Sequence, residues 1–185
     1  MVVEIVESLR FNQHLKSLQI DKSGLRCTEV IKMAEIFKIN NSLSKIYLIS
    51  SLIGNDGAGA LADTLKYNTS IEQLILHDNN IENEGLMTLI DSLKSNSTLL
   101  FLDVGCNKIS LDSLSPTMYT ILQVLKYNNY SLSRLRLDEN QIFGPVNSML
   151  DILFHNKRAH KSIVKILYSQ FPIIDPLDLL FYASQ

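Results

Sequence analysis

Residues 70–97 read SIEQLILHDNNIENEGLMTLIDSLKSNS. Apolar residues stand at Ile71, Leu74 and Leu76. Asn79 and Ile81 follow, then Gly85, Leu89 and Leu93, and Asn96 closes the stretch. Its first part has period 2, with Leu74 and Leu76 pointing one way and Gln73, Ile75 and His77 the other, as on a strand. Its second part has period 3.6, with Leu86, Leu89, Ile90 and Leu93 on one helical face. Residues 42–69 repeat the string with Leu43, Ile46, Leu48, Ile53, Gly57, Leu61, Leu65 and Asn68. Residues 14–41 do so with Leu15, Leu18, Ile20, Leu25, Met33, Phe37 and Asn40. A fourth unit, 98–130, opens with Leu99, Leu102, Val104, Asn107 and Ile109, and a fifth, 131–156, with Leu132, Leu135, Leu137, Asn140 and Ile142. Asn12, Asn40, Asn68 and Asn96 are spaced by 28, as are Asn128 and Asn156; the step of 32 from Asn96 to Asn128 marks an insertion.

A fixed period of this size predicts a stacked array. One strand and one helix cannot bury both of their apolar faces, but stacked neighbours can, which gives an α/β solenoid with a parallel sheet inside and helices outside. Asn79, Asn107 and Asn140 fall where each strand turns away, and their amides are placed to bond backbone groups that the turn leaves unpaired. Ser23 and Ser51 replace asparagine in the first two units. The ladder is expected to weaken there.

The pattern LxxLxLxxNxI resembles leucine-rich repeats. The 28-residue unit, its helical second half and its closing LxxN resemble the ribonuclease-inhibitor-like class. The resemblance spans residues 1–156. It implies a right-handed β–α superhelix with its parallel sheet on the concave face and its helices on the convex face. That class includes enzyme inhibitors, GTPase activators, innate sensors and cytoskeletal regulators, so it implies protein binding without naming a partner.

The ends depart from the repeat. Residues 1–13 fit the back half of a unit, with Ile5, Leu9 and Asn12 matching Leu89, Leu93 and Asn96. They are expected to cap the array; the alternative is a piece of a longer protein. In KISLDSLSPTMYT the insertion is expected as a lengthened convex loop, with Pro116 in a first helical turn and Ser113 or Ser115 at the cap. Residues 157–185 lose the pattern and are expected to form a C-terminal helical cap and tail, or else a docking peptide.

Composition narrows the function. Leu and Ile together make 50 of 185 residues, enough for a large core, and the net charge is −2. That balance argues against nucleic acid, which needs a basic excess or a basic face. No apolar window is long enough to span a membrane, and no membrane partner is expected. Glu4 and Glu7 sit where a secretory leader would be basic and then apolar, and two cysteines make no disulfide framework. A cytoplasmic protein, monomeric when free, is expected.

No histidine has metal-ligand spacing with a cysteine, and no cofactor is expected. GNDGAG at 54–59 lacks the Lys-Ser/Thr ending of a phosphate loop and reads as the repeat's own turn. His155 and His160 lie among Lys157, Arg158 and Lys161 and read as a solvated basic helix end. His77, Asp103 and Cys106 fall on adjacent units, and Cys–His–acid groups can activate a thiolate. Yet Cys106 fills the slot of Asp78 and Glu139, so the repeat explains it, and no catalysis is expected.

Side chains alternating with the core leucines line the inner face. One row reads Ser17, Lys45, Gln73, Phe101, Arg134. The next reads Gln19, Tyr47, Ile75, Asp103, Arg136, and the third Asp21, Ile49, His77, Gly105, Asp138. Tyr47, Ile49, Ile75 and Phe101 form an apolar island bordered by Arg134, Arg136, Asp103, Asp138 and Glu139, with His77 beside it. Aromatic and arginine anchors within a polar rim are how interface hot spots look. The expected function is a non-enzymatic module that grips a partner protein on this face and regulates or inhibits it, covering an enzyme's active site for example. The alternative is a scaffold or a fragment of a larger sensor or cytoskeletal regulator. The Asn-, Ile-, Lys- and Leu-heavy composition also resembles short leucine-rich-repeat effectors that intracellular bacteria deliver into host cytosol without a standard signal peptide. A host protein or another bacterial effector or enzyme would then be the partner.

Overall fold

The computed structural model describes residues 2–155. A short helix α1 (Val2–Glu7) runs into a 3₁₀ turn (Ser8–Arg10). Then follow β1 (Ser17–Asp21), α2 (Cys27–Ile39), β2 (Lys45–Ile49), α3 (Gly54–Tyr67), β3 (Gln73–Ile75), α4 (Asn83–Ser92) and β4 (Phe101–Asp103). The fourth unit adds β5 (Ser110–Asp112) before α5 (Pro116–Gln123), which ends in a π turn (Val124–Asn128). β6 (Arg134–Arg136), β7 (Gln141–Phe143) and α6 (Val146–His155) complete the described chain.

Strands β1, β2, β3, β4 and β6 form one parallel sheet in that order, and β5 pairs with β7 in a small second sheet. The register puts Leu18, Ile46, Leu74, Leu102 and Leu135 side by side. From Ile46 onward this row is buried, as is the row Leu48, Leu76, Val104 and Leu137. Against them pack Met33, Phe37, Leu61, Leu65, Leu86, Leu89 and Leu93, all at most 2% exposed. Neighbouring strands lie about 4.8 Å apart whereas packed helices need about 8–10 Å. The helical layer therefore fans outward and the sheet takes the inside of the curve.

Two asparagine ladders stitch the units together. In the first, at the helix-to-strand turns, Asn40, Asn68, Asn96 and Asn129 each donate from Nδ2 to two carbonyls of the preceding unit. Each Oδ1 accepts from the backbone N–H three residues on. The fourth rung is Asn129, not the Asn128 that the count of 28 selects. Leu86 and Leu89 correspond to Met118 and Ile121, 32 positions on, but Asn96 corresponds to Asn129, 33 positions on. The π turn accommodates the additional residue without disturbing the buried face. The other inserted residues precede α5, where Ser115 caps the helix by accepting from Met118 N at 3.2 Å and Pro116 opens its first turn, as expected.

The second ladder runs along the strand-to-helix turns. Asn107 Oδ1 accepts from Asn79 N and Ile81 N, and Asn140 Oδ1 from Asn107 N and Ile109 N. It stops at the second unit, where serine stands at 51. Asn79 still donates to Leu48 O and His77 O, but its buried Oδ1 has no partner among the described residues. The residue before each rung (Lys22, Ser50, Asp78, Cys106, Glu139) has a φ of 48–60°, the left-handed region. Gly85 is needed for packing, since a Cβ would lie 2.7 Å from Asn55 Oδ1, which accepts from Glu82 N and Gly85 N.

These bonds rank the rungs. Asn79→Ala should cost about 1–3 kcal/mol, and Asn107→Ala about 1 kcal/mol more, because it also strands two buried backbone donors. Urea denaturation measures both. Equal losses would show that Asn79 N and Ile81 N find other acceptors.

At the amino end, Asn12 Oδ1 accepts from His14 N and Leu15 N, as Asn96 Oδ1 accepts from Thr98 N and Leu99 N. Val6 and Leu9 are buried, and α1 packs against α2. The segment 157–185, read as a cap and tail, lies outside the described residues.

Candidate functional site

The parallel register places the inner rows as the alternation requires. Lys45, Gln73, Phe101 and Arg134 are successive partners, as are Tyr47, Ile75, Asp103 and Arg136. Backbone bonds extend the ladder past the strand ends, with Ser50 N donating to His77 O and Cys106 N to Asp138 O. This brings His77 and Asp138 to the same face, beyond Ile49. All nine candidate residues thus share one surface.

They do not share one role. Tyr47 and Phe101 are half-buried. The Tyr47 hydroxyl donates to Gln73 Oε1 at 3.3 Å. The Arg134 guanidinium lies over the Phe101 ring at 5.3 Å, within cation–π range. Ile75 is only 6% exposed, so it is a floor between two standing neighbours and not an anchor. Ile75→Ala would therefore disturb folding as well as binding, and it is unsuited to testing the surface.

A charged cluster fills the carboxyl end of β4 and β6. Asp103 is 4% exposed and accepts from Gly105 N at 2.8 Å. Its Oδ2 lies 3.4 Å from Arg136 Nη1, and its Oδ1 is 3.9 Å from His77 Nδ1. Arg136 Nε donates to Asp138 Oδ2 at 2.7 Å. The hydrogen bond to Asp138 and the nearby charge of Asp103 raise the Arg136 pKa above its ordinary value. The guanidinium is thereby fixed in direction as well as charged, which lowers the ordering cost for any group that docks on it. Gly105 makes the cluster possible, because a Cβ there would lie 2.9 Å from His77 Nδ1 and 3.1 Å from Asp103 Oδ1. Gln73 and Gly105 both stand in the inner rows but were not among the candidates. The two-residue alternation placed them there, but it does not show their contacts.

The thiolate reading has no support in the geometry. Cys106 occupies a strained left-handed turn, and partial burial together with the charges of Asp78 and Glu139 pushes its thiol up from the ordinary value. His77 turns to Asp103. Cys106→Ser should leave stability within about 0.5 kcal/mol, as for a partly exposed turn position. A melt checks this, and a loss above about 2 kcal/mol would give the thiol a structural role. Among the described residues no group of three or more His, Cys, Asp or Glu could hold a metal ion, and no helix is long and apolar enough to cross a membrane.

The Leucine Rich repeat family model matches residues 67–89 and 95–116, the two central units of the array. The fold is a leucine-rich-repeat solenoid. Solved structures agree with it over nearly the whole chain. The Leiomodin-1 Actin-Binding Site 2 structure has a TM-score of 0.70 at 19% identity, covering 92% of this chain and 96% of that one. The tropomodulin C-terminal domain of Caenorhabditis elegans has a TM-score of 0.66 at 15% identity, covering 90% of this chain and 99% of that one. Identities this low speak to the solenoid's shape, not to its contacts. No curated protein matches the chain in sequence. Leucine-rich-repeat domains are typically protein-interaction modules.

Proposed function

We propose that this solenoid holds one partner protein against the inner face of its sheet, through Tyr47, Phe101, Arg134 and Arg136, and regulates it by covering the surface it grips. The observation that carries the reading is the pair of half-buried rings on strands β2 and β4, with Arg134 over the second and a prefixed Arg136 beside it. A rigid sheet holds these groups, so binding spends little on ordering them. The role is non-enzymatic in this reading. Free thiols at Cys27 and Cys106 suit a reducing cytoplasm, and delivery into a host cytosol belongs to the same proposal.

The test is affinity capture with the wild-type chain beside the Tyr47→Ala/Phe101→Ala/Arg136→Ala variant, read by mass spectrometry. A partner held by the first and lost by the second, with both melting alike, supports the reading. Equal capture overturns it.

A second reading is a cytoskeletal regulator. It is favoured by the likeness to the leiomodin structure, which is described as an actin-binding site. Purified actin is therefore the first defined partner to offer. Co-pelleting with filaments or a shift of monomeric actin on a sizing column supports this reading, and neither occurring removes it.

A further inference from the structure

In a parallel sheet every strand starts on the same flank of the solenoid, where every helix also ends. That flank carries an unusual surface. Phe11, Ile39, Tyr67, Leu100, Tyr127 and Tyr130, 41–84% exposed, all fall on it, more than half of the large exposed apolar residues of the described chain. Phe11, Ile39 and Tyr67 occupy one repeat slot in three successive units. The slot before it is basic in four successive units: Arg10, Lys38, Lys66 and Lys94. Each is ion-paired at its own helix end, Arg10 with Glu7, Lys38 with Glu35 and Asp63, Lys66 with Asp63 and Lys94 with Asp91, so these carboxylates offset part of their charge. Lys16, Lys45 and Arg134 add charge at the strand starts, against Glu72 in the repeat slot of Lys16. The opposite flank is acidic on balance, with Asp21, Asp78, Asp138 and Glu139 at the strand ends against Lys22 and Lys108. Helix dipoles favour this arrangement of charge, but not the exposed rings.

We propose that this flank docks peripherally on an anionic lipid surface. The turns of five successive units line this one edge of the sheet, so their rings and cations fall along the same flank. Aromatic and aliphatic tips among lysines and arginines match the headgroup zone of a bilayer, where tips enter the acyl boundary and cations meet lipid phosphates. The net charge of −2 averages over this polarity, and the acidic far flank orients the molecule with its basic edge toward a negative surface. The expectation of no membrane partner rested on the missing span, which a peripheral contact does not need.

The test is co-sedimentation of the full chain with vesicles of phosphatidylcholine alone, or with roughly one-fifth phosphatidylserine. Binding is expected only to the mixed vesicles, with most of it lost between about 0.1 and 0.5 M salt. Lys16→Glu/Lys66→Glu should lower it at least about tenfold. Lys22→Glu/Lys108→Glu, which changes the net charge equally on the opposite flank, should change it less than about twofold. Tyr67→Ala should weaken it a fewfold at unchanged charge, and melts of all variants confirm that they fold. No binding by the wild-type chain, or equal losses in both charge pairs, overturns the proposal. In that case the exposed rings are a protein contact.

Discussion

Leu76→Ala should lower the unfolding free energy by about 2–5 kcal/mol. Leu76 is fully buried in the third unit, in the row it shares with Leu48 and Val104, and the α4 face closes over that row. Truncation there removes three heavy atoms' worth of packing at the meeting of the strand and helix layers. A terminal unit could settle inward to fill part of the void. A central unit is held by neighbours on both sides, so the cavity persists and the cost falls toward the upper part of the range. Chemical denaturation of both proteins measures it. A difference of a few tenths of a kcal/mol would mean that Leu76 does not point into the core and that the register is wrong.

Asn68→Ala should be comparably severe, at about 3–5 kcal/mol. The side chain is 2% exposed and makes no apolar contribution that alanine could not nearly match. Its value is in hydrogen bonds. Nδ2 donates to Phe37 O at 2.8 Å and to Asn40 O at 2.9 Å, while Oδ1 accepts from Ser70 N and Ile71 N, both at 2.8 Å. Four backbone groups of two units thus lose a partner at once, in a turn too closed for water to reach all of them. Asn68→Asp separates the two halves of the role. It keeps an acceptor for Ser70 and Ile71 but turns a carboxylate on two carbonyls, so it should be no milder than alanine at neutral pH. Full stability in either variant would show that the ladder is incidental to the stacking.

The layers and register were legible because they follow from periodicity alone. Leu74 and Leu76 against Gln73 and Ile75 fix which face is inner, and Leu86, Leu89 and Leu93 fix the helical face. What periodicity cannot show is height above the sheet. Ile75 alternates correctly onto the inner face yet is nearly covered, while Tyr47 and Phe101 on either side stand proud. The misplaced rung at Asn128 has a similar origin. The spacing of 28 from Asn156 selects Asn128, but the π turn, which adds a residue without shifting Leu125, puts Asn129 in the rung. Nor could the chain read as a string show that its charges separate between flanks. Arg10, Lys38, Lys66 and Lys94 look like ordinary helix ends until the parallel register puts them on one edge beside Phe11 and Tyr67.

The inner face is best tested by calorimetric titration of the captured partner against the wild-type chain and against Phe101→Ala and Tyr47→Ala, each melted in parallel. Truncating a buried aromatic anchor typically costs about 2 kcal/mol or more of binding. Each variant should therefore bind at least about tenfold more weakly while losing under about 1 kcal/mol of stability. Full affinity in both variants, with the fold intact, would contradict the account and move the interface off the sheet.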